Sequence, residues 1–358
     1  MSNYPAPELF RNYPELREKL PWVPLAHATP VDRLGRLESF LHAPLLWVKR
    51  DDRTSDAHGG AKPRQLEFVF GDLLRRGARR VLVFGRVGSP NCLAMTVFAH
   101  RFRLRPVLAL VRARGAQNVQ RSLEIEHQLG AELHRLDAGP HAAARLVRSI
   151  LAGRHDEDEP RFPAVVWPRR AALYGALGYV NAAYELKRQI NVGILPEPSR
   201  IYVPARSGAT AAGLALGCQM AGIRATVIAV TGATGGHPRP AALAARTLRA
   251  LRARTRRIAL TTFDASRLVV RRDFGGTHDA ARAAAHQALG LARDLEHLDL
   301  EAATGGRVMA ALFDDVRHSR VHGPLLFWHT HAADARAAGN PVDAQALPRE
   351  FREFFLAR

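Results

Sequence analysis

Apolar and polar positions along this chain fall into two kinds of block. Short apolar runs at residues 44–48, 80–84, 106–111, 132–136, 164–167, 200–204, 225–230 and 324–328 have the length and bounding turns of buried strands. Between them lie segments with helical spacing, beginning with Leu66, Phe70, Leu73 and Leu74 after Lys62 and continuing over 93–102, 118–129, 142–152, 175–189 and 240–253. Strand, glycine-rich turn, helix and strand repeat as βαβ units, so the sheets should be parallel and the architecture α/β throughout. Residues 1–43, rich in proline and charge, read as an arm of loops and short helices. A charged loop is expected at 153–161, and the face of the helix at 240–253 reads as solvated. There is no internal repeat.

Composition narrows the class. At 358 residues with 47% hydrophobic and 24% charged, the chain is long enough for two domains and is globular. A formal charge of +19 would ordinarily point to nucleic acid, yet the arginines are scattered over helical faces and turns and only 7% of residues are aromatic. No specific nucleic-acid partner is expected. Cys92 and Cys218 lie in apolar helical contexts without metal spacing, which fits a reduced, cytoplasmic setting. The start shows no signal-peptide pattern, and no apolar run approaches the ~20 residues of a membrane helix.

One cation stands out against this background. Of 52 basic side chains only Lys19, Lys49, Lys62 and Lys187 are lysines. Arginine cannot form a Schiff base, whereas a lysine depressed by burial can. Lys62 follows Gly59-Gly60 at the start of a helix; a plain surface lysine at a helix start is the bland alternative. Ligands in open α/β sheets sit beyond the carboxyl ends of strands, and four such ends here carry small or polar residues: 59–62, 85–91, 206–210 and 329–331. Ser207-Gly208-Ala209-Thr210, between a strand and a helix, suits an anion such as phosphate, or is an ordinary N-cap turn. Ser89 and Asn91 fit either a ligand contact or a helix cap, and Thr330 either a ligand contact or a strand-end hydroxyl. His329 and His331 have no third ligand at plausible spacing, so no metal is expected.

Taken together, these stretches resemble the pyridoxal-phosphate enzymes of the 1-aminocyclopropane-1-carboxylate deaminase and D-cysteine desulfhydrase family. The resemblance is carried by Lys49-Arg-Asp-Asp52, Gly59-Gly-Ala-Lys-Pro-Arg-Gln-Leu-Glu-Phe68, Gly88-Ser-Pro-Asn91, Tyr174-Gly-Ala-Leu-Gly-Tyr-Val-Asn-Ala-Ala183, Ser207-Gly-Ala-Thr-Ala-Ala-Gly-Leu214 and Leu326-Phe-Trp-His-Thr330, collinear over roughly residues 20 to 335. It implies a tryptophan-synthase-β-like fold (fold type II) of two α/β domains with the cofactor in a cleft between them. Residues 1–55 and 185–358 would form the large domain and 56–184 the small one. The implied function is a pyridoxal 5'-phosphate-dependent lyase or deaminase acting on a small amino acid, and the family is commonly dimeric.

Carried over by position, Lys62 would be the internal aldimine lysine. Ser207, Gly208, Ala209 and Thr210 would hold the phosphate, and Thr330 would face the pyridine nitrogen. Ser89 and Asn91 would lie near the substrate carboxylate, with Asn91 also standing in as a cofactor contact. Several positions depart from the pattern. Ala61 replaces an asparagine, Pro90 replaces another, and Arg206 and Ala209 occupy glycine positions, the latter tolerable only at negative φ. Thr304, in Glu301-Ala-Ala-Thr-Gly-Gly-Arg307, stands where the family carries an active-site tyrosine on the substrate side, and His331 and Ala332 replace glycines. The cofactor frame is mostly kept and the substrate side is altered. A divergent enzyme is therefore the expectation, and the alternative is a degenerate scaffold that binds the cofactor or a partner without this chemistry.

Overall fold

A computed structural model of the chain describes residues 6–112, 119–136, 141–152, 162–232, 239–259, 261–275, 279–318, 320–331 and 344–356. The expected charged loop at 153–161 lies outside them. In chain order the arm holds α1 (Glu8–Asn12), α2 (Leu16–Lys19), β1 (Val31–Arg33) and α3 (Gly35–Leu41), followed by β2 (Leu46–Arg50) and α4 (Lys62–Arg75). Next come β3 (Arg80–Arg86), α5 (Pro90–Arg101), β4 (Arg105–Val111), α6 (Val119–Gln128), β5 (Glu132–Arg135), α7 (Ala142–Ala152) and β6 (Ala164–Val165). The long α8 (Pro168–Asn191) leads to β7 (Arg200–Pro204), α9 (Ala209–Met220), β8 (Thr226–Val230), α10 (Pro240–Arg252) and β9 (Leu268–Arg271). The chain continues with α11 (Asp279–Glu296), α12 (Arg307–Arg317), β10 (Leu325–His329) and α13 (Glu353–Leu356).

The strands form two sheets. One has six strands in the order β1-β2-β10-β7-β8-β9, parallel except for β1 against β2. The other has four parallel strands in the order β5-β4-β3-β6. Parallel strands are covered on both faces, and the alternation within single strands shows it. In β7, Ile201 and Val203 join a core with Tyr179, Ala183 and Leu214 from α8 and α9, while Tyr202 faces a core with Leu312 of α12 and Leu37 of α3. In β10, Leu326 and Trp328 belong to the first core and Leu325 and Phe327 to the second. The four-stranded sheet packs Leu82, Val107 and Ala109 with Leu146 and Ile150 of α7.

Two compact units result: Met1–Phe68 with Ala171–Asp334, and Val69–Arg170 with Ala335–Arg358. These limits differ from the expected boundaries after residues 55 and 184, and both fall inside helices. The first turns of α4 are buried in the larger unit, with Phe68 edge-on to Phe10 of the arm at 6.3 Å between ring centres. The segment of α8 after Ala171 is held there too. A Cβ at Gly178 would lie 1.8 Å from the Arg64 carbonyl oxygen, so only glycine lets α8 approach α4 this closely. The described C-terminal segment, expected in the large domain, joins the smaller unit, where Gln120 of α6 donates to the Phe354 carbonyl at 2.7 Å. Two elements of the larger unit that the apolar pattern left unassigned are α11, which buries an alanine face of Ala281, Ala285, Ala288 and Ala292, and α12, which buries Val308, Met309, Leu312 and Phe313.

Candidate active site

The placement of Lys62 begins with a buried ionic network two residues away. Arg64, 1% exposed, donates from Nε and Nη2 to Asp51 at 3.0 Å each, and from Nη1 to Glu185 Oε2 at 2.8 Å. Asp51 also accepts from Thr29 Oγ1 at 2.9 Å, Tyr179 OH at 3.1 Å and Trp328 Nε1 at 2.7 Å. Lys49, fully buried, donates to Glu185, to the Thr29 carbonyl at 2.6 Å and to Gln189 at 2.9 Å. Two cations meet two carboxylates, and every charge is hydrogen-bonded, the condition under which buried ions are tolerated. Burial pushes the Glu185 pKa upward, but Arg64 and Lys49 outweigh it and bring it down to about 2. The network ties β2, α4, α8 and β10 together and fixes where α4 starts. It also explains the second scarce lysine: Lys49 is structural.

Lys62 opens α4. Its Nζ donates to Gln65 Oε1 at 3.0 Å, and Gln65 Nε2 donates to Thr210 Oγ1 at 3.0 Å. One residue earlier, the Ala61 N–H donates to the Thr330 carbonyl at 3.1 Å. Lys62, Thr210 and Thr330, from three separate strand ends, are thereby brought together within the larger unit. Gln65, the bridge, had no role assigned by sequence reading; its signal was its place one turn after the lysine on the same face.

The 207–210 loop has a helix N-terminus at its end. Gly208, at φ +78°, precedes the first residue of α9, Ala209, and no side chain caps it among the described residues. Ala209 is not among the residues at positive φ, so alanine is accommodated there, and the same holds for Arg206. Ser207 Oγ accepts from the Ala209 N–H at 3.4 Å. Thr330 follows β10, and beside it His331 Nδ1 lies 3.7 Å from Glu301 Oε2. Thr304 sits in a π-helical turn, Ala302–Gly306, with its hydroxyl donating to Glu301 Oε2 at 2.8 Å. Such turns are frequent at functional sites. His329 is buried and its ring stacks on Phe327 at 5.8 Å; burial foremost lowers its pKa to about 4. In the smaller unit, Ser89 is the N-cap of α5, accepting from the Asn91 N–H at 3.2 Å. That is the capping role weighed for this turn.

The sequence matches the profile of the family described as "Pyridoxal-phosphate dependent enzyme" over residues 24–330. The chain belongs to that family. It is 29% identical to a D-cysteine desulfhydrase of Yersinia pestis (strain Pestoides F) over 339 residues, covering 91% of this chain and 99% of the relative. A D-cysteine desulfhydrase of Klebsiella pneumoniae (strain 342) is 29% identical over 322 residues, with 87% and 94% covered. Among solved structures, an ACC deaminase homologue superposes with a TM-score of 0.71 at 24% identity over 92% of this chain and 96% of its own. Threonine deaminase isoform 2 from Solanum lycopersicum superposes at 0.60 with 14% identity, over 91% and 85%. The fold is therefore type II, tryptophan-synthase-β-like, and the protein is a pyridoxal-phosphate-dependent enzyme related to the lyases and deaminases of this group.

The residues present fit the cofactor. The N-terminus of α9, with Ser207 and Thr210 at its edge, would supply backbone N–H groups and a positive dipole end for a phosphate. Gln65 links that loop to an amine able to bond the cofactor's aldehyde. In the turn before Lys62, His58 is buried, with neither ring nitrogen hydrogen-bonded among the described residues.

Proposed function

We propose that the enzyme acts on a small amino acid in the manner of a D-cysteine desulfhydrase or related deaminase, with Lys62 as the lysine that carries the cofactor. The observation that supports this best is the chain of contacts from Lys62 through Gln65 to Thr210, closed by the Ala61–Thr330 bond. When bound, the cofactor supplies an electron sink for negative charge at the substrate α-carbon.

The protein's part is to hold, orient and move protons. Ser207, Gly208, Ala209 and Thr210 bind the phosphate through backbone N–H groups and hydroxyls. The Thr330 hydroxyl would offer the pyridine nitrogen a neutral partner. Gln65 aims the Lys62 amine, which takes the proton released from the α-carbon. By the resemblance, Ser89 and Asn91 would receive the substrate carboxylate, with Asn91 also a cofactor contact. Thr304 lines the substrate side, but its hydroxyl is bonded to Glu301 and is a far weaker acid than a phenol. Elimination from D-cysteine is therefore expected, and ring-opening of 1-aminocyclopropane-1-carboxylate is not. Function as a homodimer in the cytoplasm belongs to the same reading; among the described residues no helix is long and apolar enough to cross a membrane.

Borohydride reduction of the cofactor-loaded protein followed by peptide mapping tests the lysine. The label should sit on Lys62; a label on Lys49, or none, would refute the assignment. Assays with D-cysteine and the cyclopropane amino acid test the substrate. Family-like deamination of the latter would refute the role given to Thr304. A spectrum unperturbed by any D- or L-amino acid would favour the non-catalytic scaffold.

A further inference from the structure

The smaller unit brings a hydroxyl, an imidazole and a carboxylate into line, outside the Lys62 site. On β5, Glu132 and His134 are two positions apart and so leave the strand on the same side. α7 packs on this sheet through Leu146 and Ile150, and Ser149 stands at its exposed edge. Ser149 Oγ lies 2.8 Å from His134 Nδ1. The other ring nitrogen, Nε2, is buried and lies 3.6 Å from Glu132 Oε2. A lone pair on Nε2 would be repelled by that carboxylate oxygen, so Nε2 carries the proton of the neutral ring. Nδ1 is left to accept from the serine hydroxyl. Glu132 is itself held by Arg80, whose fully buried side chain donates from Nη2 to both carboxylate oxygens at 2.8 and 3.1 Å. Burial works against the Glu132 charge, but His134 and Arg80 outweigh it and bring the pKa below its ordinary 4.5. The carboxylate is therefore ionised and fixed. A surface hydroxyl gains little stability from such a bond, since water would serve it as well. A hydroxyl within reach of a base, with the base oriented by a third group, is the arrangement that activates a serine.

We propose that Ser149 is a nucleophile with His134 as its general base and Glu132 as the residue positioning the ring, a second site that takes activated acyl esters. Ser149 Oγ attacks the ester carbonyl carbon while its proton passes to His134 Nδ1. The bond from that carbon to the leaving oxygen breaks, its electron pair stays on the oxygen, and His134 returns the proton to it. The acyl group is left on Ser149. Water then attacks the same carbon, His134 takes the water's proton and gives it to Ser149 Oγ, and a carboxylic acid is released. Glu132 faces the imidazolium formed in each half. Ser149 lies inside α7, where its backbone N–H is engaged in the helix and is not left to hold an oxyanion. The first half should therefore be slow, and the acyl group should accumulate on the serine.

The probe is p-nitrophenyl acetate, offered to the full chain with and without pyridoxal 5'-phosphate. The wild type should release about one equivalent of p-nitrophenolate in a burst, with peptide mapping placing an acetyl group on Ser149. Ser149→Ala should abolish that label. His134→Gln keeps a hydrogen-bonding side chain under the serine but no comparable base, so labelling should slow about 10²-fold. Added imidazole should restore the rate in His134→Gly. Glu132→Gln should also slow labelling, and Glu132→Asp should recover part of the loss. Wild-type labelling in H134Q, or acetyl groups on lysines and none on Ser149, overturns the proposal. Labelling of Ser149 should be the same with and without the cofactor; a burst that depends on the cofactor assigns the reaction to the Lys62 site and overturns the proposal too.

Discussion

Glu185→Gln removes one carboxylate from the network beneath Lys62 while keeping its shape. In the wild type, Glu185 accepts from Lys49, from both Arg64 terminal nitrogens at 2.8 and 3.1 Å, and from the Thr29 N–H at 3.0 Å. The substitution leaves Lys49 and Arg64, 0% and 1% exposed, facing Asp51 alone, so one buried positive charge is uncompensated. Breaking a buried pair in this way costs about 3–5 kcal/mol. For a unit of this size, a melting temperature shifts by about 2–4 °C per kcal/mol, so a fall of roughly 6–20 °C is expected. Thermal unfolding at pH 7 followed by circular dichroism measures it. The pH dependence carries a sign. Burial pushes the Glu185 pKa up, Arg64 and Lys49 overcome it, and the folded value falls to about 2 from an ordinary 4.5. A depressed carboxyl stabilises fully above its unfolded pKa and loses that contribution as pH falls toward the folded one. The gap between wild type and E185Q should therefore narrow between about pH 4.5 and 2. Adding Lys49→Met to E185Q should recover part of the loss, since it removes the stranded charge. A destabilisation below ~1 kcal/mol at pH 7 would refute the account of the network.

Two further perturbations follow from buried positions. Gly178→Ala would set a methyl 1.8 Å from the Arg64 carbonyl oxygen and 2.7 Å from its carbon, both backbone, so a loss of about 3 kcal/mol is expected; a wild-type melting temperature would contradict it. Glu126 of α6 is fully buried, neither carboxyl oxygen has a partner among the described residues, and burial raises its pKa to about 8 from 4.5. A raised carboxyl loses its stabilising protonation as pH climbs toward the folded value, so Glu126→Gln should gain on the wild type by a few kcal/mol between about pH 5 and 8; urea unfolding across that range showing a constant difference would rule this out.

The sequence by itself determined the elements whose residues report their own environment. Apolar runs became β3, β4, β7, β8 and β10, because a strand covered on both faces must be largely apolar. The Gly59–Phe68 stretch and the 207–210 loop stood out as candidates, since a scarce lysine after two glycines and a small-residue loop before a helix are local patterns. Tertiary structure decided the rest. That Lys49 is structural followed from its burial against a carboxylate, and Glu185, its partner, lies 136 positions away on α8. The division of the chain inside α4 and α8 followed from helix packing at Gly178, which no composition shift marks. The alanine face of α11 acquires a direction only from the core it packs into. His58 is an ordinary polar residue in a turn until the fold buries it, because burial is a property of the assembled chain.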